Sequence, residues 1–165
     1  MKLVVATALL TVIVLAQGLA AGEPSIQFMA TGANWSDGSF TGHAFVCIQL
    51  PTNSGIKEDC FGFYPRTAGS IFGGPGVVDS EFDFTAHPPC RFANIQVSVA
   101  KTITVAQRQR VLTVINGWDK HFTFNASNCV SLANAVAAAV GLNHPTDTSY
   151  TSPVQYVQKL KELTP

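Results

Sequence analysis

Asn128-Cys129-Val130-Ser131-Leu132-Ala133-Asn134-Ala135-Val136, read beside Gly42-His43-Ala44-Phe45-Val46 far upstream, sets the frame of this chain. In the first stretch, Val130, Leu132, Ala133, Val136 and Val140 form one apolar side at helical spacing, and Gly141 stops the run. Asn128 stands at the cap position, where its side chain accepts a hydrogen bond from the first-turn backbone. Cys129 therefore falls in the first turn. There the unpaired N–H groups and the positive end of the helix dipole favour a thiolate. The second stretch places His43 at the head of a β-prone run, His43 to Leu50. An imidazole brought near a thiol favours the same loss of a proton.

Working outward, the residues around these two patches alternate between strand and turn signals before the period changes. Ile26 to Ala30 reads as a short strand and residues 31–41 as a loop rich in Gly, Ser, Asn and Asp. Pro51-Thr52-Asn53-Ser54-Gly55 reads as a five-residue turn leading to a second strand, Ile56 to Tyr64, which completes a β-hairpin with the His43 strand. Residues 65–79 hold Gly69, Gly73, Gly74, Pro75 and Gly76 and are expected to be irregular. Phe92 to Val99 alternates, with Ile95, Val97 and Val99 on one face. Thr104 and Gln107 then form a capping-box pattern ahead of Val111, Leu112, Ile115 and Trp118 at helical spacing. His121 to Phe124 is a short extended piece, the Asn128-capped helix follows, and Ser152-Pro153 opens a third helix with proline at its favoured first position. The expected class is α+β, a small antiparallel sheet covered by helices.

The first residues carry a different signal. Met1-Lys2 precedes an almost wholly apolar run, Leu3 to Ala16, and small residues follow at Gly18, Ala20 and Ala21. Residues 1–20 read as a secretory signal peptide cleaved near Ala20. The run is too short to span a bilayer comfortably, since a spanning helix needs about 20 apolar residues. Removing those twenty from 165 leaves about 145, enough for a single domain, 21–165, with a real core. The mature chain is expected to be secreted, with no membrane association after cleavage. Formal charge is zero and only 12% of residues are charged, so no basic stripe points to nucleic acid.

Export implies an oxidising setting, in which the four cysteines, Cys47, Cys60, Cys90 and Cys129, suggest disulfides. Cys47 with Cys60 across the hairpin, and Cys60 with Cys90, are both compatible with the pattern. No histidine pair has zinc-ligand spacing with the cysteines, and neither a metal nor a cofactor is expected. Asn34-Trp35-Ser36 and Asn125-Ala126-Ser127 fit the glycosylation acceptor pattern, which matters in a eukaryotic source. Among the other histidines, His121 lies just before the cysteine helix and competes with His43 for the role of base. His87 precedes two prolines, and His144 follows a helix end.

The order of a histidine strand, a partner strand, and Asn-Cys opening an apolar helix resembles the circularly permuted papain-like hydrolases. These are the permuted relatives of NlpC-type cell-wall peptidases, a group that also includes lecithin retinol acyltransferase-like proteins. Three patches carry the likeness: Gly42-His43-Ala44-Phe45-Val46 leading to Gly62-Phe63-Tyr64-Pro65; Ile103-Thr104-Val105-Ala106-Gln107 opening a helix that ends near Trp118; and Phe122-Thr123-Phe124 followed by Asn128-Cys129. They span most of residues 41–141. The resemblance implies a permuted papain-like fold in which Cys129 is the nucleophile and His43 the general base and acid. Many members of that group carry a polar residue on the strand after the histidine, where it orients the imidazole. Here the hairpin puts Phe63 or Tyr64 opposite His43. Asp59 shares the His43 face in the first register, and Tyr64 is nearest in the second.

Three functions fit this pattern. One is a secreted cysteine amidase or peptidase acting on a peptide or peptidoglycan-like amide through a thioester. Another is a disulfide-stapled binding or inactive domain of the same fold, with Cys129 in a bridge. The third is an acyltransferase, for which Phe61, Phe63, Phe72, Phe82 and Phe84 offer an apolar trench.

Overall fold

A hairpin organises the sheet. In the computed structural model, which describes residues 22–33, 41–80 and 95–165, strands β2 (His43–Thr52) and β3 (Gly55–Pro65) pair antiparallel through a tight turn. The loop is shorter than the expected five residues, because Pro51 pairs with Ile56 and Thr52 with Gly55. The Thr52 hydroxyl closes the turn by donating to the Gly55 carbonyl at 2.8 Å. β1 (Ser25–Thr31) lies on the other side of β2, and β5 (Ile95–Thr102) lies beyond β1. β4 (Gly74–Ser80) follows β3, and the two-residue β6 (His121–Phe122) closes the order β5-β1-β2-β3-β4-β6. Every pairing is antiparallel.

β4 corrects the expectation of an irregular stretch over residues 65–79. That stretch holds a 3-10 turn, Ala68–Phe72, and then a strand. The glycine and proline that read as loop have strand roles. Gly76 partners Pro65, and a Cβ there would strike the Phe63 ring. Close approach of two strands is one of the uses of a strand glycine. Pro75, which lacks an N–H, still accepts from the Arg66 N–H at 2.9 Å.

Three helices complete the α+β domain: α1 (Val105–Asn116), α2 (Cys129–Ala139) and α3 (Pro153–Leu163). Each begins where its cap signal stands. Thr104 and Gln107 form the reciprocal box on α1, and Ser152 caps α3 with Pro153 at its first position. α2 packs over β2 and β3, α3 over β5 and β1, and α1 flanks α2. One face of the sheet meets these helices. Ile26, Phe28, Ala30, Ala44, Val46, Ile48 and Phe63 are buried there against Val111, Ile115, Val130, Val136, Tyr156 and Leu160. A one-residue slip of β2 would turn its buried set to the opposite face. Losing several such side chains at roughly 1.5–3 kcal/mol each would cancel a typical domain's whole net stability. The register is therefore tightly held.

The opposite face carries a second buried cluster, Met29, Phe45, Cys47 and Cys60. Cys47 and Cys60 are direct cross-strand partners and form a disulfide, which selects one of the two expected pairings. The expected signal peptide, residues 1–20, lies outside the described residues, as do Asn34, Phe82, Phe84, His87, Cys90 and Phe92. Among the described residues, no helix is long and apolar enough to cross a membrane.

Gly42 fixes the start of β2. Its φ of 74° lies in the left-handed region, and a Cβ there would run into the Thr31 carbonyl. Gly42→Ala is expected to destabilise the domain by about 1–3 kcal/mol, combining left-handed strain with the clash. Urea unfolding followed by circular dichroism measures this; an unchanged midpoint would contradict the assigned backbone.

Candidate active site

His43 is the first residue of β2, directly after Gly42. It pairs with Thr31 of β1, and its N–H donates to the buried Thr31 hydroxyl at 3.2 Å. Its ring stacks on Tyr64, with centroids 4.1 Å apart and planes 22° from parallel. The Phe45 ring lies on the same side of the sheet, 6.0 Å away and nearly parallel at 10°. Continuing the β2–β3 register from the Phe45–Gly62 pair puts Tyr64 opposite His43. The imidazole thus has a floor of flat rings that sets its plane.

Cys129 arrives from the helix side. Asn128 caps α2 through its side-chain oxygen, which accepts from Val130 N–H at 2.9 Å and Ser131 N–H at 3.1 Å. The Asn128 N–H in turn donates to the Ser131 hydroxyl at 2.6 Å. The same asparagine donates its amide to the Phe124 carbonyl at 2.6 Å, which ties the incoming loop to the helix mouth. Cys129, at the first helical position, is half-buried and is a free thiol. Its sulfur hydrogen-bonds the His43 side chain and the Ala44 backbone N–H, and the Val130 N–H, held by Asn128, lies close enough to act on it as well.

Two opposing influences act on that thiol. Burial, the largest single one, pushes its pKa up. The His43 hydrogen bond and positive charge, together with the two backbone N–H groups, outweigh burial and leave the thiol below its usual value of 9.0. Among the described residues no acceptor pairs with the Cys129 backbone N–H. Donor groups of this kind, beside a nucleophile, stabilise an oxyanion.

The structure brings together Cys129, His43 and Tyr64 and leaves Asp59 out. Asp59 pairs with Ile48, five positions along β2 from His43, an odd offset that puts it on the other face. By strand rise it is about 16 Å away. Its carboxylate instead pairs with Lys57 at 3.1 Å. Tyr64 meets the imidazole through its ring face. His121 is exposed at the sheet edge, paired with Pro75, and is not among the groups that act on the thiol. His144 is bound to Asn134 and Pro145, each at 3.1 Å. Sequence reasoning did not single out Thr31 or Phe45. Thr31 sits at a strand end and carries no local signal, whereas Phe45 lies two residues from His43 on the same face and was open to inspection.

Among the described residues, Cys47, Glu58 and Cys60 lie close enough to share a metal ion. The two sulfurs are joined in the disulfide and offer no thiolate ligand. No protein-family model, curated protein or solved structure matches the chain.

The lowered thiol pKa sets a sign for reactivity. Because the folded value is depressed, the thiolate fraction at neutral pH is raised, and alkylation should level off at a lower pH than for an ordinary cysteine. Iodoacetamide labelling of Cys129 against pH is expected to show a midpoint below 9.0. His43→Ala removes the hydrogen bond and charge while burial remains, so the midpoint should rise. A midpoint unmoved by that change would contradict the coupling.

Proposed function

We propose that this protein is a secreted cysteine hydrolase that cleaves a peptide or peptidoglycan-like amide through a thioester on Cys129. The observation that carries the reading is the Cys129 thiol at the mouth of α2, hydrogen-bonded to His43 and shifted toward the thiolate. The likeness of the residue order to permuted papain-like hydrolases supports the same conclusion.

The chemistry follows from the positions of the groups. His43 holds the proton taken from the thiol. The Cys129 sulfur attacks the substrate carbonyl carbon, and the oxyanion so formed lies beside the Cys129 backbone N–H. His43 then passes its proton to the leaving amine as the C–N bond breaks, leaving an acyl thioester. Water, deprotonated by His43, attacks the thioester, releasing the acid and returning the proton to the site. Each contribution has a known scale: general acid–base transfer supplies about 10²–10⁴ in rate, and one oxyanion donor about 10²–10³.

The free state of Cys129 favours this reading over a disulfide-stapled binding domain, which requires that sulfur in a bridge. Secretion is proposed on two grounds, the apolar amino-terminal segment with its small-residue end and the Cys47–Cys60 disulfide, a bond typical of oxidising compartments.

Incubation with p-nitrophenyl acetate should place an acetyl adduct on Cys129 alone, visible by intact mass and peptide mapping. Cys129→Ala should lower turnover by roughly 10³ or more. Its unfolding midpoint should stay close to wild type, because the lost sulfur is small and half-buried. Persistent turnover in that variant would sink the proposal.

Tyr64 offers a separate check on the base. Tyr64→Ala removes the ring under the imidazole and should lower kcat by about 10-fold or more with a smaller change in KM. Tyr64→Phe keeps the ring and should restore most of the rate. Equal losses in both variants would assign Tyr64 a role other than stacking.

A further inference from the structure

Six large hydrophobic side chains stand exposed among the described residues: Ile56, Phe72, Ile95, Val105, Phe124 and Tyr150. Single exposed hydrophobics are ordinary, so their placement is what matters. Ile56 sits by the β2–β3 turn, at the end of β2 remote from His43. Phe72 and Phe124 belong to the end that holds the thiol. Phe72 leads into Gly74 at the start of β4, Phe124 follows Phe122 at the end of β6, and Gly74 and Phe122 are strand partners. The two phenylalanines therefore leave the sheet from one pair of neighbouring positions.

Both are held there by the chain around them. The Asn128 amide donates to the Phe124 carbonyl, so Phe124 is tied to the cap of the nucleophile helix. Phe72 ends the 3-10 turn that follows Tyr64 and Pro65. In that turn the Ser70 N–H donates to the Thr67 carbonyl at 2.9 Å, and the two hydroxyls meet at 2.9 Å. Ser70 is buried at 5% exposure, while Phe72 is turned out at 87%. A turn that buries its serine and presents its phenylalanine has no core-packing reason for the aromatic. Phe124 is 42% exposed.

We propose that Phe72 and Phe124 form an apolar rim that receives the acyl portion of the substrate, so that the favoured carbonyl carries an aliphatic or aromatic body rather than a charged one. The inference rests on the hydrolase reading and names its substrate class. The acyl group, unlike the leaving group, stays on the sulfur through the thioester stage. Apolar side chains flanking the helix mouth therefore act on it in both half-reactions. In the test reaction the sulfur–carbon bond forms as the ester carbon–oxygen bond breaks. p-Nitrophenolate departs, and water then releases the carboxylic acid and the thiol.

The test uses p-nitrophenyl acetate, butyrate and hexanoate, with each rate normalised to the reaction of the same ester with free cysteine. For the wild-type chain, normalised kcat/KM is expected to rise roughly two- to fourfold per added methylene, the range set by burying hydrocarbon from water. In Phe72→Ser/Phe124→Ser the rise per methylene should flatten. Phe72→Ser alone should give an intermediate slope. Ile56→Ser, at the remote turn, should follow wild type. A wild-type rate independent of chain length, or the same slope in the double variant, overturns the rim and leaves the hydrolase intact. Failure of the acetate to acylate Cys129 overturns the hydrolase reading and the rim with it.

Discussion

The seating of α2 across β2 and β3 is the contact on which the rest depends. Val130, Leu132, Ala133, Val136 and Ala137 are buried on its inner side. Both ends of the helix are tied down. At the start, Asn128 takes two backbone N–H groups and the Phe124 carbonyl. At the end, Gln107 of α1 donates to the Val140 carbonyl at 2.7 Å, and Arg110 donates to the Ala139 carbonyl at 2.9 Å. These carbonyls have no partner within their own helix, so side chains from α1 supply what the helix end lacks. A helix fixed along its length and at both ends leaves its first residue little freedom. The sulfur of Cys129 is placed by packing, and the site inherits the rigidity of the core.

Much of this was legible because it is local. A cap residue and an apolar stripe lie within a few positions of each other, so Thr104, Asn128 and Ser152 marked their helices correctly. The β-prone run from His43 onward marked β2 in the same way. What failed to read was non-local. β4 was hidden because Gly74, Pro75 and Gly76 are turn residues by composition; they suit a strand only where Phe63 crowds the backbone and β6 covers just two positions. The place of Asp59 depended on register. The hairpin turn is shorter than its composition suggested, and the parity of every cross-strand pair follows from that length.

The thiol illustrates why residue type alone does not decide reactivity. A cysteine at a helix start gains from the dipole, yet burial works against the charge. With burial as the largest influence on Cys129, an isolated sulfur in that place would be a poor nucleophile. His43 reverses the balance, and it does so from a different element. The site exists only when the sheet and the helix are both assembled, so its chemistry reports on the fold.

The disulfide bears on the same point from the other face. Cys47 is four positions from His43 on β2, and an even offset keeps the two on one side of the sheet. Cys60 is four positions from Tyr64 on β3. A bridge between directly opposed cysteines closes in one register only, and in that register Tyr64 falls opposite His43. Slipping the hairpin by a single residue would put Phe63 there instead, draw it out of the core, and part the sulfurs. The bond that staples the hairpin and the ring stacked on the His43 imidazole are thus two consequences of one alignment.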